Sequence, residues 1–228
     1  MRRLWKILIG VGVVLVVLAG LAVGGWYFFL KSDPEPPAKI TKTTTVGGGT
    51  LDGTYRVAPG DPNSFVGYRA QEELAAVGFE STATGRTDEI NGSFTIDGMT
   101  VKNVSVDASL LSLKSDRDMR DNRIKTLGLE SEKFPQSKFV LTEPISFQSV
   151  PQAGQTVRAT AKGNFTLHGV TRRVSIPLEG RWDGRDIQVV GSLDIRFADY
   201  QIEAPNIAGF VSVKDQGVME FQIFFRKT

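Results

Sequence analysis

The chain has 228 residues, with 27 Lys and Arg against 25 Asp and Glu, a formal charge of +2 and no cysteine. Without cysteine there is no disulfide, thiolate nucleophile, zinc–thiolate site or thioether-linked lipid. The basic excess sits at the start, where Arg2, Arg3, Lys6, Lys31, Lys39 and Lys42 face only Asp33 and Glu35, so the remainder is near neutral and offers no basic field for nucleic acid.

Residues 1–6 form a short basic N-terminus, and Ile7 to Leu30 then run without a charged side chain, long enough to cross a hydrocarbon core of about 30 Å as a helix. A cleaved secretory signal is the competing reading. Its apolar core is usually only about 7 to 15 residues, whereas Trp26, Tyr27, Phe28 and Phe29 carry this run past the small residues that a peptidase would need. Basic residues before the span and Asp33 and Glu35 after it orient the chain with a cytoplasmic N-terminus and an extracytoplasmic bulk, a single-pass protein of the cell membrane. Gly20 and Gly24 make a small-xxx-small pair through which two spans could form a homodimer, although glycine is common in such helices.

Residues 31–50 change character, with Pro34, Pro36, Pro37, a threonine cluster and Gly47 to Gly49. Proline favours extended, solvated backbone and the glycines add a joint, which predicts a tether without chemistry of its own.

From residue 51 to 228 the dominant signal is period-two alternation, bounded by Asp-Gly and Asn-Gly dipeptides at residues 52, 91, 97 and 183 that suit hairpin turns. The apolar alternates are Phe94 and Ile96; Val104, Val106, Ala108 and Leu110; Phe139 and Leu141; Ala159, Ala161, Gly163, Phe165 and Leu167; Val174 and Ile176; Gly191, Leu193 and Ile195; and Phe221 and Ile223. Such strands imply an antiparallel sheet with one dry and one wet face, and a sheet of this length must curl or close. One segment breaks the rule: Ser115 and Asp118 suggest a capping box, and acid-before-base pairs run from Asp116 to Lys125, predicting a short helix over Asp116–Leu127.

Two candidate chemistries carry little weight. His168 is the only histidine; a hydrolase built on it would need an orienting group and a nucleophile, and no nucleophile elbow or metal-ligand spacing surrounds it. It reads as a turn residue on the wet face, ahead of Gly169. The acidic run from Asp116 to Asp121 lacks the glycine and the final bidentate acid of a calcium loop, so no metal site is expected. The dry face is more suggestive. It sets Ala108, Ala159, Ala161, Gly163 and Gly191 among Phe94, Phe139, Phe165 and Phe221, with small residues at one end of the Ala159–Leu167 strand and large ones at the other. Alternation alone leaves two interiors open: a hollow that an apolar chain would fill, or large side chains interdigitating with small ones. The filled version would be an interaction module that binds a protein or envelope polymer at its surface.

Three stretches bear on that choice: Gly163-Asn-Phe-Thr-Leu-His-Gly-Val-Thr-Arg-Arg-Val, Ser115-Asp-Arg-Asp followed by Phe134-Pro-Gln-Ser-Lys-Phe139, and Gly217-Val-Met-Glu-Phe221. With them the outer domain resembles the YceI-like family of bacterial extracytoplasmic proteins over nearly its whole length. The resemblance implies an all-β, antiparallel, lipocalin-like barrel that holds a polyisoprenoid or similar amphiphile, and is not an enzyme. On it the twenty alternates above become the expected lining for an isoprenoid or isoprenoid-quinone-like lipid, with Tyr55, Tyr68 and Arg69 as polar contacts at the mouth and no other cofactor. A barrel-to-barrel homodimer is a further expectation, and the segment Gln71 to Gly85 departs from the commoner members of the family, whose first long strand carries a histidine where this chain reads Arg69-Ala-Gln-Glu-Glu.

Overall fold

A computed structural model describes residues 15–20, 34–41, 44, 49–74, 79–204, 206–207 and 211–228. It divides into two compact units, Met1–Asp33 and Pro34–Thr228. In the first, residues 15–20 are helical. The rest of the predicted span at 7–30, Gly24 included, lies outside the described residues, among which no helix is long and apolar enough to cross a membrane.

The second unit is a closed antiparallel barrel. Its ring of eight strands is β1 (Gly53–Val57), β4 (Ile90–Asp97), β5 (Thr100–Ser109), β7 (Gln136–Leu141), β9 (Thr156–Leu167), β10 (Val170–Trp182), β11 (Asp186–Ile195) and β13 (Val211–Lys227), and β13 returns to pair with β1. The edge of β13 is long enough to serve two partners. Phe225 to Lys227 pair with β1, while Val211 to Gln222 pair with β2 (Phe65–Leu74), which in turn pairs with β3 (Phe79–Thr87). Short strands β6 (Lys114–Ser115), β8 (Ile145–Ser146) and β12 (Asn206–Ile207) add to β3, β5 and β13. Closure leaves few backbone donors and acceptors unpaired at an edge of such a long alternating sheet.

Alternation translates directly into burial. In β9 the exposed residues are Thr156, Arg158, Thr160, Lys162 and Asn164, and the buried ones are Ala161, Gly163, Phe165 and Leu167. Turn chemistry holds at some of the expected dipeptides. Gly98 (φ 58°) and Gly184 (φ 106°) occupy the tight turns of β4–β5 and β10–β11, and His168 (φ 51°) with Gly169 (φ 74°) makes the turn of β9–β10. Asn91-Gly92 is a correction: it lies inside β4, where a Cβ on Gly92 would meet Ser105 O of β5 at 2.8 Å. Glycine there permits close backbone approach instead of a turn.

The predicted helix is shorter and held differently. Helix α1 spans Asp118–Arg123 and continues as one π-helical turn, Ile124–Gly128. No side chain caps it. Ser115 Oγ donates to the buried Asp121 carboxylate at 2.6 Å, and that carboxylate also accepts the Ser115 N–H at 2.9 Å. Its large apolar side chains do not pack inward, for Met119 and Leu127 are exposed. What fastens it is Arg120, which grips Glu72 of β2 in a bidentate pair at 3.0 Å and also holds Asp116. Burial works against the Arg120 charge, but Glu72 and Asp116 outweigh it and hold the guanidinium firmly protonated.

Candidate functional site

The barrel interior is unequal along its axis. One end is packed solid by Leu110, Phe165, Leu167, Ile195, Tyr200 and Ile202, with Phe139, Val174 and Leu193 against them. At this end His168 closes the floor. It is buried, not on the wet face as the alternation predicts, because the positive φ of the turn folds its ring back under the barrel. Nδ1 lies 3.0 Å from the Tyr200 carbonyl, Nε2 lies 2.8 Å from the Glu130 carboxylate, and Phe134 packs edge-on against the ring. Both nitrogens are engaged, so the imidazole ties three segments together instead of standing free as a base.

The other end is hollow. A cavity of about 170 Å³ opens there, its wall almost wholly apolar atoms. That is room for roughly ten water-sized spheres. The wall offers almost no polar partners, so water inside would forfeit hydrogen bonds that an apolar occupant does not need.

Twelve of the twenty predicted residues line it: Phe94, Ile96, Val104, Val106, Ala108, Phe139, Ala159, Ala161, Phe165, Ile176, Phe221 and Ile223. The other eight do not. Leu110, Leu167 and Ile195 belong to the solid plug, with Val174 and Leu193 packed against it, and Leu141 is half-buried at the end of β7. Gly163 and Gly191 are not vacancies at all. A Cβ on Gly163 would stand 2.5 Å from the Phe139 ring, and one on Gly191 would stand 2.6 Å from the Phe221 ring. Each glycine is the seat of an aromatic side chain from the neighbouring strand, so at these two positions the small and large residues interdigitate. Only the alanines, Ala108, Ala159 and Ala161, leave space.

None of the three residues expected at the mouth, Tyr55, Tyr68 and Arg69, is in the cavity wall. Tyr55 is fully buried, stacks on Phe94 with ring centroids 5.3 Å apart, and donates its hydroxyl to Leu51 O at 2.8 Å. Burial, helped by Asp52, pushes its phenol up to about 12. Tyr68 does not line the cavity. Its ring covers Gly85, and burial holds its phenol above the usual range despite the opposing pull of Arg120. Arg69 points from the outer wall and pairs with Glu220 at 3.2 Å.

Several lining residues escaped the alternation. Val101 lies out of step with Val104 and Val106, yet all three face inward, because Asn103 (φ 56°) and the register shift between β4 and β5 insert a bulge that turns the strand over. Ile145, Phe147 and Pro151 come from the connection between β7 and β9, held to the rim by pairing of Ile145 with Val101 and by the Phe147 N–H to Met99 O bond at 2.8 Å. Val157, Leu178, Val189 and Trp182 extend periods already visible in β9, β10 and β11. The only lining residues with polar side chains among those described are Ser137 and Lys138.

Comparison with known proteins decides the family, because the YceI-like domain model matches residues 55–225. The chain belongs to the YceI-like family. A UPF0312 protein of Pseudomonas putida strain W619 is 28% identical over 142 residues, spanning 61% of this chain and 68% of the relative. A UPF0312 protein of Shewanella sp. strain MR-4 is 31% identical over 132 residues, 54% and 65% respectively. Among solved structures, a polyisoprenoid binding domain from Saccharophagus degradans superposes with a TM-score of 0.60 at 18% identity, covering 76% of this chain and 98% of that one. BcnA of Burkholderia cenocepacia gives 0.53 at 15% identity, covering 71% and 95%. These two likenesses show the fold. Among the described residues no cluster of three or more His, Asp or Glu is placed to hold a metal.

Proposed function

We propose that this YceI-like barrel binds a long apolar lipid of the polyisoprenoid class, held at the extracytoplasmic face of the cell membrane by the N-terminal span. The observation that carries the reading is the hollow at the alanine end of the barrel, lined by apolar atoms and closed by the solid plug at the other end. The polyisoprenoid-binding neighbour with the same fold supports the choice of ligand class. The twelve residues that face the hollow are its binding surface, together with the rim residues Ile145, Phe147 and Pro151. Binding works by burial. Each methylene withdrawn from water contributes about 0.8 kcal/mol, so one isoprene unit contributes roughly 4 kcal/mol with no polar contact. The family's binding-protein fold and the engaged His168 fit a carrier, store or sensor and not a hydrolase.

Native mass spectrometry of protein extracted from membranes in a mild detergent tests the ligand. A retained adduct of isoprenoid mass, and uptake of an added isoprenoid quinone by stripped protein, are expected; bare polypeptide and no uptake would refute it. For the anchor, protease added to cells whose outer layers are permeabilised but whose inner membrane is intact should remove the barrel and leave an N-terminal membrane fragment. A barrel shielded until the inner membrane is broken would overturn the orientation.

A further inference from the structure

Residues 34–41, which the sequence presents as free tether, lie along the outer wall of the barrel across β3, β2, β13 and β11. Their backbone is read by barrel side chains at nearly every step. The Glu35 N–H donates to Thr84 Oγ1 at 2.9 Å, Arg69 donates to Glu35 O at 2.7 Å, and Arg86 donates to Pro36 O. Gln188 then uses both ends of its amide: its oxygen accepts the Thr41 N–H at 2.8 Å and its nitrogen donates to Lys39 O at 2.9 Å. This is the pairing an adjacent strand would make, supplied here by side chains.

The wall beneath is prepared for it. Outward positions of a barrel are ordinarily wet, yet with residues 34–41 laid over them Thr84, Gln188 and Glu220 are buried. Glu220 lies between Arg69 and Arg86, each 3.2 Å away, so its charge is compensated from within the wall. A buried carboxylate and amide on an outer face would lose hydration without return unless a partner covered them.

We infer that this outer wall is a built groove for an extended peptide backbone, and that residues 34–41 of the same chain are its resident ligand. Recognition is of backbone, and Pro34, Pro36 and Pro37 preset the extended form that the groove reads, which lowers the ordering cost. The segment is a strap.

Hydrogen exchange on the full chain tests the groove without reference to the anchor. The amides of Lys39 and Thr41 should exchange at least roughly tenfold more slowly than in a free peptide of residues 34–41. Gln188→Ala should bring Thr41 to within about twofold of the peptide rate, while the amides of β9 keep their protection and show that the barrel is folded. Peptide-like exchange at Lys39 and Thr41 in the unaltered chain, or undiminished protection of Thr41 in Gln188→Ala, overturns the inference.

Discussion

Replacing Ala161 by leucine distinguishes a hollow barrel from a filled one by the sign of a single number. Ala161 faces the cavity from β9, opposite Ile176 of β10, which faces the same space. Leucine adds three carbons. If they enter unoccupied apolar space, transfer contributes about 2.4 kcal/mol at 0.8 per methylene, less about 0.5–1 for the rotamer freedom lost. The ligand-free protein should therefore gain roughly 1.5–2 kcal/mol. In a close-packed core the same change forces neighbours off their rotamers and costs about 1–3 kcal/mol, so the two interiors differ by at least ~2.5 kcal/mol. Urea unfolding of delipidated protein measures it, as a rise in midpoint at constant m-value. The side chain should also evict part of the ligand: losing burial of about two methylenes weakens isoprenoid binding by roughly tenfold. A destabilised variant that still binds lipid at full affinity would falsify the cavity reading.

Three further outcomes follow from the packing. Gly163→Ala drives a methyl into the Phe139 ring and Val140 O, and should cost about 1–3 kcal/mol in urea unfolding; a neutral result would mean Phe139 is not seated there. Tyr55 has a folded-state value raised to about 12 from 10.0, so the native state holds its phenolic proton more tightly than the unfolded chain, and its contribution is complete below pH 10 and lost as pH rises from 10 through 12. Denaturant midpoints should fall across that window and fall less in Tyr55→Phe; parallel pH profiles would show that the phenol is not the group responsible. His168→Ala breaks the ties to Tyr200 and Glu130 and places alanine at φ 51°, so thermal unfolding should move down by an amount corresponding to about 2–3 kcal/mol, with isoprenoid uptake retained if the hollow end is the binding site.

The barrel was legible because closure and alternation reinforce each other. Every second residue of β9 is dry, and the small-to-large gradient from Ala159 to Leu167 places the hollow at the alanine end and the plug at the Leu167 end. What alternation cannot encode is how a missing side chain is used. Gly163 and Ala161 carry the same parity and nearly the same size, yet one receives a phenylalanine ring from β7 and the other borders open space, a difference decided across strands distant in sequence. The bulge at Asn103 hides Val101 in the same way, since one left-handed residue reverses the face of those before it. Rim residues such as Phe147 lie in a connection without a period to read. The polar ends of Tyr55 and Arg69 suggest a mouth, but Tyr55 is buried in the core with its hydroxyl on a backbone acceptor four residues away, and Arg69 pairs with a carboxylate on the outer wall.

Outer-wall chemistry is the part of this chain that its composition disguises. Proline, threonine and glycine between two domains describe a solvated linker, and nothing in the linker itself contradicts that. The contrary sign lies far away in the sequence, in Gln188 and Glu220, polar residues on the outward parity of β11 and β13 where any hydrophilic side chain would satisfy the pattern. Their burial is unexplained by the barrel alone, since no inward packing reaches them, and it is explained once residues 34–41 are laid over them. The inner and outer faces of β13 therefore differ in their surroundings: Phe221 and Ile223 border the apolar cavity, while Glu220 and Gln222 accept the backbone N–H groups of Ala38 and Lys39 at 3.5 and 3.3 Å. One strand thus borders the apolar cavity with one face and the strap groove with the other.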